Sequence, residues 1–366
     1  MTAGNRATLL VDGASAYPSM LDAIFAATST ILMDSYIFND DSAGRAFANA
    51  LASAARRGVS TWLIRDGAGT WSVDRAFFRK LKEAGVHVLE YRPIAPWRRG
   101  FGLLRRNHRK LLVVDGRVGF AGGMNVGGEW LPREDGGQGW HDIHVRIEGP
   151  AAQDLSRLAL ATWKSHGNVD LDRRLFLPEA VSAGEEHVNV VGSGEIKMRR
   201  AIRESYLHAI RRAERYIYIA NAYFVPDRGF RRALRNACAR GVDVRVMVPA
   251  KGDILPVRMA SQALYGRLLR AGVRIFLWKR EVLHAKTAVI DGEWATVGSF
   301  NIDHRSWTMN LEVNVDVVGA RFSDGLRKVF ESDETHCSEL SREDWARRPF
   351  LQRVVERFFR LFRRWM

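Results

Sequence analysis

Apolar positions along the chain fall into two rhythms. Short β-branched runs such as ILMDSYIF, STWLIRD and IYIANAYF read as buried strands. Stretches such as RAFFRKLKEAG and FRRALRNACARG space their apolar residues three and four apart and read as amphipathic helices. Helices close on Gly before a strand, as at Arg57-Gly58-Val59 and Arg240-Gly241-Val242. Strand and helix in alternation predict αβ units feeding a mixed or parallel sheet.

The pattern occurs twice in one order. ILMDSYIF, AARRGVSTWLIRDG, FRKLKEAGVHVLEY, HRKLLVVDGRVGFAGGMN and GWHDIHVRIEG are echoed by IYIANAYFVPD, RNACARGVDVRVMVPAKGD, YGRLLRAGVRIFLW, HAKTAVIDGEWATVGSFN and MNLEVNVDVVG. The AGV blocks at Ala84 and Ala271 are 187 apart and the HxK blocks at His108 and His284 are 176 apart, so the first half carries eleven extra residues. They fall in RPIAPWRRGFGLLRRN, which mixes Trp97, Phe101, Leu103 and Leu104 with Arg98, Arg99, Arg105 and Arg106. The predicted domains are a first repeat over 1–170, a linker over 171–188, a second repeat over 189–340 and a basic amphipathic C-terminal helix over 341–366.

Composition narrows the class. At 46% hydrophobic and 27% charged residues the chain is globular rather than disordered. Two cysteines exclude a disulfide scaffold and a Cys-only zinc site, and fit a reducing cytosolic setting. The N-terminus lacks the pattern of a secretory signal, and the charge-free stretch Ala23 to Met33 is short of the ~20 residues that span a bilayer. The formal charge of +15 calls for a polyanionic partner, either nucleic acid or anionic lipid.

The chemistry concentrates in one hairpin per half. His108-x-Lys110-x4-Asp115-x6-Gly122-Gly123-x-Asn125 and His284-x-Lys286-x4-Asp291-x6-Gly298-Ser299-x-Asn301 share one spacing. Residues two apart on a strand share a face, so His and Lys project together, and Asp-Gly supplies the turn. The returning strand ends in small residues and an Asn whose amide can donate where His and Lys point. A nucleophile, a cation and an amide converge in each copy. Metal binding suits this set poorly, because one His beside an ammonium repels a cation.

These paired motifs resemble the phospholipase D superfamily, whose signature is two HxKxxxxD copies in a duplicated α/β fold. The likeness runs from Thr8 to about Cys337 and is strongest to bacterial cardiolipin synthases: Asp34 to Phe38, NHRKLLVVDG, GGMNVGGEW, Trp140-His141-Asp142, Tyr223 to Asp227, and Gly298-Ser299-Phe300-Asn301 with Asp303 and Arg305. Asp34 stands where the family usually has Glu. Without N-terminal membrane helices, the chain resembles the shorter subgroup. The resemblance implies an αβ sandwich of two pseudo-twofold-related halves with the active site between them. It implies a phosphatidyltransferase that joins two phosphatidylglycerol molecules through a phosphohistidine, with no metal or other cofactor. The alternatives are a phospholipid hydrolase and a nuclease of the same superfamily.

On that reading His108, Lys110, Asp115, His284, Lys286 and Asp291 form the catalytic motifs, with a structural role suspected for the two aspartates. Asn125, Asn301, Gly123 and Ser299 would bind phosphate. Asp142 and Glu312, on the polar row of the next strand in each half, are candidates to fix the far nitrogen of a histidine. Membrane contact is expected from Trp97, Arg98, Arg99 and Phe101, and from the tail at Phe358, Phe362 and Trp365. There, from Asp344 to Met366, apolar residues at helical spacing alternate with seven arginines. The same tail pattern also suits a helix docked on the protein. The implied location is the cytoplasmic face of a bacterial inner membrane, with phosphatidylglycerol as partner and no nucleic acid.

Overall fold

The computed structural model describes residues 1–97, 101–167, 172–193 and 200–361. Arg98, Arg99, Phe362 and Trp365 lie outside the described residues. The chain divides into two compact units. The first comprises Met1–Gly192 with Val297–Ser299 and Asn310–Asp316, and the second the remainder from Ser193.

In the first unit β1 (Thr2–Val11), α1 (Asp12–Ala26), β2 (Thr30–Ser35), α2 (Ser42–Arg56), β3 (Ser60–Asp66), α3 (Arg75–Glu83) and β4 (His87–Tyr91) precede the hairpin β5 (Leu111–Val114) and β6 (Val118–Gly122). β7 (Ile143–Glu148), α4 (Ala152–His166), α5 (Arg173–Phe176) and β8 (Glu186–Gly192) follow. Strand order is β8-β1-β7-β6-β5-β2-β3-β4. β2, β3 and β4 are parallel, as helical crossovers require, and β5 runs antiparallel to β2. Every residue of β2 is buried, because α1 and α2 cover one face of the sheet and α4 the other.

The rest of the chain repeats the scheme. α6 (Ala201–Arg212), β9 (Tyr216–Asn221), α7 (Arg228–Ala239), β10 (Asp243–Pro249), α8 (Leu255–Arg270) and β11 (Arg274–Trp278) lead to the hairpin β12 (Lys286–Ile290) and β13 (Trp294–Gly298). Then come α9 (His304–Thr308), β14 (Val313–Val318), α10 (Ala320–Glu334), β15 (Cys337–Glu339), α11 (Arg342–Arg347) and α12 (Phe350–Leu361). The order β4-β3-β2-β5-β6-β7 recurs as β11-β10-β9-β12-β13-β14.

Four helices end alike, as the Gly-Val pairs predict. Gly58, Gly85, Gly241 and Gly272 take positive φ near 90°, and the next Val donates back to the last turn, at 3.1 Å for Val59 to Ala54 and for Val242 to Ala237. The unit boundary differs from the predicted one. The expected linker contains α5 and the start of β8, and β8 pairs antiparallel with β1, so it belongs to the first unit. Its short alternation HVNVV is the echo of β1, too brief to stand out in sequence.

Candidate active site

Both hairpins are held at the turn by their aspartate. Asp115 and Gly116 take φ of 51° and 62°, and Asp291 and Gly292 56° and 73°, the left-handed pair that a tight hairpin turn needs. The Asp115 carboxylate accepts from the N–H groups of Thr28, Ser29 and Thr30 and from the Thr28 hydroxyl. Burial pushes its carboxyl up, yet these donors together outweigh burial and hold it below the usual carboxylate range. Asp291 accepts from the N–H groups of Glu214, Arg215 and Tyr216 in the same way. Each motif Asp thus sits at the far end of its strand from the motif Lys and fastens the hairpin to the neighbouring strand. That geometry gives both a structural part in the hairpin.

The opposite ends carry the chemistry. Lys110 is buried and its Nζ donates to the carbonyl of His108 at 2.7 Å; Lys286 is fully buried and donates to the carbonyl of His284. In the first unit the His108 N–H donates to the Leu311 carbonyl and the Leu311 N–H to that of Arg106, each at 2.9 Å, which pins the backbone beside the ring. His108 Nδ1 lies 3.1 and 3.0 Å from the two Glu312 oxygens. A carboxylate only accepts, so Nδ1 carries the proton shared with Glu312. The carboxylate that orients the first histidine therefore comes from the second repeat's sequence, within the Asn310–Asp316 segment of the first unit.

Glu312 is itself held. Ser299 donates to it at 2.5 Å while accepting from the Val313 N–H at 3.0 Å, and Asn310 Nδ2 donates at 3.4 Å. Ser299 thus serves the carboxylate rather than a phosphate. Gly123, at the matching place, donates its N–H to the Ile143 carbonyl, and a Cβ there would come within 2.1 Å of the Asp142 carboxylate. Its smallness makes room for Asp142, which accepts from the Trp130 indole at 3.0 Å. In this geometry the Gly123 N–H and the Ser299 hydroxyl are both engaged within the protein. Asn125 accepts from the Ile37 N–H through Oδ1, which turns its Nδ2 outward as a donor. Asn301 is buried, with Oδ1 lacking a partner.

In the second unit Lys286 Nζ stands 2.8 Å from His284 Nδ1.

Sequence reasoning missed the polar support behind His108. Asn107 donates through Nδ2 to buried Asp34 at 3.2 Å and through its N–H to Asp66 at 2.8 Å. Burial pushes the Asp34 carboxyl up to about 6, against the lowering pull of Arg109 and Asn107. Arg109 is buried and donates to the carbonyls of Glu312 and Leu158. Arg106, expected among the loop's surface cations, points inward 3.5 Å from Asp66. Tyr36 packs its ring edgewise on His108 at 5.1 Å and lies 5.3 Å from Lys110 Nζ. The alternation in NHRK signalled His108 and Lys110 but also marks Asn107 and Arg109 as the opposite row, which was the available clue.

The family described as "Cardiolipin synthase, PLD-like domain" matches residues 20–150 and 206–334. The chain belongs to this cardiolipin synthase PLD-like family. A probable cardiolipin synthase of Bacillus subtilis is 34% identical over 97% of this chain and 71% of its own length. The major cardiolipin synthase of the same organism is 33% identical over 98% of this chain and 75% of its own. A phosphatidylserine synthase from Haemophilus influenzae shares the fold, with a TM-score of 0.75 and 14% identity over 98% of this chain and 95% of that one. Both HxK hairpins, Asp142 and Glu312 fall within the two PLD-like segments, whereas α11 and α12 lie beyond them. Among the described residues no cluster of three His, Cys, Asp or Glu could hold a metal, and no helix is long and apolar enough to cross a membrane.

Proposed function

We propose that the protein is a phosphatidyltransferase of the cardiolipin synthase type, with His108 as nucleophile and His284 as general acid and base. The observation that carries this assignment is the Glu312 carboxylate 3.0 Å from His108 Nδ1, which leaves Nε2 as the nitrogen that meets phosphorus. His108 Nε2 attacks the phosphorus of one phosphatidylglycerol, and the bond to the glycerol oxygen breaks as that oxygen takes a proton from His284, which enters this step as the imidazolium and leaves it neutral. Glycerol departs. The hydroxyl of a second phosphatidylglycerol gives its proton to His284 and attacks the phosphohistidine, forming cardiolipin and freeing His108. Lys110, Lys286, Asn125 and Asn301 hold the non-bridging oxygens and stabilise charge on the five-coordinate transition state. Glu312 steadies the imidazolium character that develops on His108, and family membership supports the choice of substrate.

The enzyme works at the surface of a bacterial membrane, on the cytoplasmic side. Trp97 is 83% exposed, with Phe101, Leu103 and Leu104 also outward beside the His108 strand, and the net charge suits an anionic surface. Purified protein given phosphatidylglycerol vesicles should yield cardiolipin and free glycerol. Phosphatidate instead would make it a hydrolase, and cleavage of single-stranded DNA without lipid turnover would overturn the lipid reading. A phosphodiester with a nitrophenolate leaving group needs no acid for the first step. His284→Ala should therefore release one equivalent of nitrophenol in a burst, and His108→Ala none; the reverse pattern exchanges the roles.

A further inference from the structure

The second unit contains a cleft of about 420 Å³ between α8 and the α11–α12 pair, lined by no residue of either HxK hairpin and walled partly by helices outside the PLD-like segments. Its lining is unusually one-signed. Arg267 and Arg270 come from α8, Arg342 and Arg348 from α11 and the residue after it, and Arg353 from α12, against a single acid, Glu356. Glu356 is buried and already paired with Arg348 at 3.0 Å. Among the described residues Arg353 donates only to the carbonyls of Arg348 and Ala346 and forms no ion pair. Arg267, Arg270 and Arg342 are exposed and make no side-chain hydrogen bond or ion pair among the described residues. Trp345, 8% exposed, lines the same cleft, and its indole N–H has no acceptor.

Guanidinium groups in excess over the one carboxylate, itself already paired, are the recognition chemistry of phosphate, which accepts several forked hydrogen bonds at once. We propose that this cleft binds the phosphate of an anionic phospholipid headgroup, as a site separate from the catalytic residues. The choice of a lipid source comes from α12. This helix packs on α8, as the docked alternative for the tail requires, yet Phe350, Val354 and Phe358 recur every four residues and stay exposed. An apolar stripe on one wall and phosphate donors in the adjoining cleft fit the two chemistries at a bilayer surface. Phe358, expected to touch membrane, lies on this stripe. The inference rests on the membrane-surface reading above only for the source of the phosphate, and not on the reaction.

The test uses the full chain carrying His108→Ala, so that the probe is not consumed. Arg267→Gln, Arg270→Gln and Arg342→Gln are combined, since none of these side chains holds the fold. A charge-matched control combines Arg228→Gln, Arg232→Gln and Arg235→Gln on the exposed face of α7. Sedimentation with mixed phosphatidylglycerol and phosphatidylcholine vesicles should weaken about a hundredfold in the cleft triple, at about fivefold per basic group near an anionic surface. The control should lose less than about threefold, and pure phosphatidylcholine vesicles should not separate the variants. Equal losses in both triples would reduce the cleft to bulk charge and overturn the proposal. Unchanged vesicle binding, with a thermal shift by inorganic phosphate that only the cleft triple loses, would overturn the lipid source and leave a free-phosphate site. Unchanged vesicle binding with no phosphate effect would overturn the site altogether.

Discussion

The two HxK hairpins share their mechanics and differ in their surroundings. In both, the aspartate clamps three successive amides, the turn is left-handed at two residues, and the lysine reaches back to the histidine carbonyl. Around the first, Tyr36, Asn107, Arg109 and Asp34 build a buried polar shell; the matching positions of the second hold Ala222, Leu283, Ala285 and Ala220. Duplication kept what positions the reactive pair and let the neighbours diverge. The divergence places a carboxylate beside Nδ1 of one histidine and an ammonium beside Nδ1 of the other.

Removing the carboxylate should blur that difference most. Glu312→Gln keeps the shape but can donate as well as accept, so turnover should fall by about 10²–10⁴, the range seen when a histidine loses its orienting acid. The pH profile should change shape as well, and loss of rate with an unaltered profile would argue that Glu312 only packs. Ser299→Ala should show a weaker version, about tenfold, because one hydrogen bond to a charged group is lost.

Asp34 tests the buried shell through pH. Its folded carboxyl titrates at about 6, above the ~3.9 of an unfolded chain, so folding favours the protonated form. The stability this lends is complete below about pH 4 and is lost as pH rises through about 6. Asp34→Asn should therefore gain on the wild type by about 3 kcal/mol between pH 4 and pH 8, read as a shift in urea midpoint. An equal difference at both pH values would show that the carboxyl is not held protonated by burial.

The smallest effect should come from Tyr36→Ala, which makes the first surroundings like the second. Edgewise ring contact and the ammonium beside the ring contribute about 1 kcal/mol, so kcat/KM should drop about fivefold with the fold intact. A loss beyond a hundredfold would place the Tyr36 hydroxyl in the chemistry.

Much of this was legible in the sequence because it is periodic or repeated. The αβ order, the four Gly-Val closures and the paired His-Lys-Asn sets all follow from spacing. What escaped was set by partners far apart in the chain. Nothing local says that Ser299 hydrogen-bonds Glu312, that Gly123 clears space for Asp142, or that Arg106 turns inward to Asp66. The tail showed its two faces in sequence, but the cleft of arginines depends on α8 lying alongside it.

The bond between His108 and Glu312 joins residues 204 positions apart, and the first unit recruits Asn310–Asp316 to complete itself. During synthesis from the N-terminus, that unit must wait after Gly192 for more than a hundred further residues, roughly ten seconds at ribosomal speed. Until then His108 has its tight turn but no carboxylate. A nascent or truncated chain thus carries the reactive motif in an unfinished setting, and catalytic competence arrives in one late step.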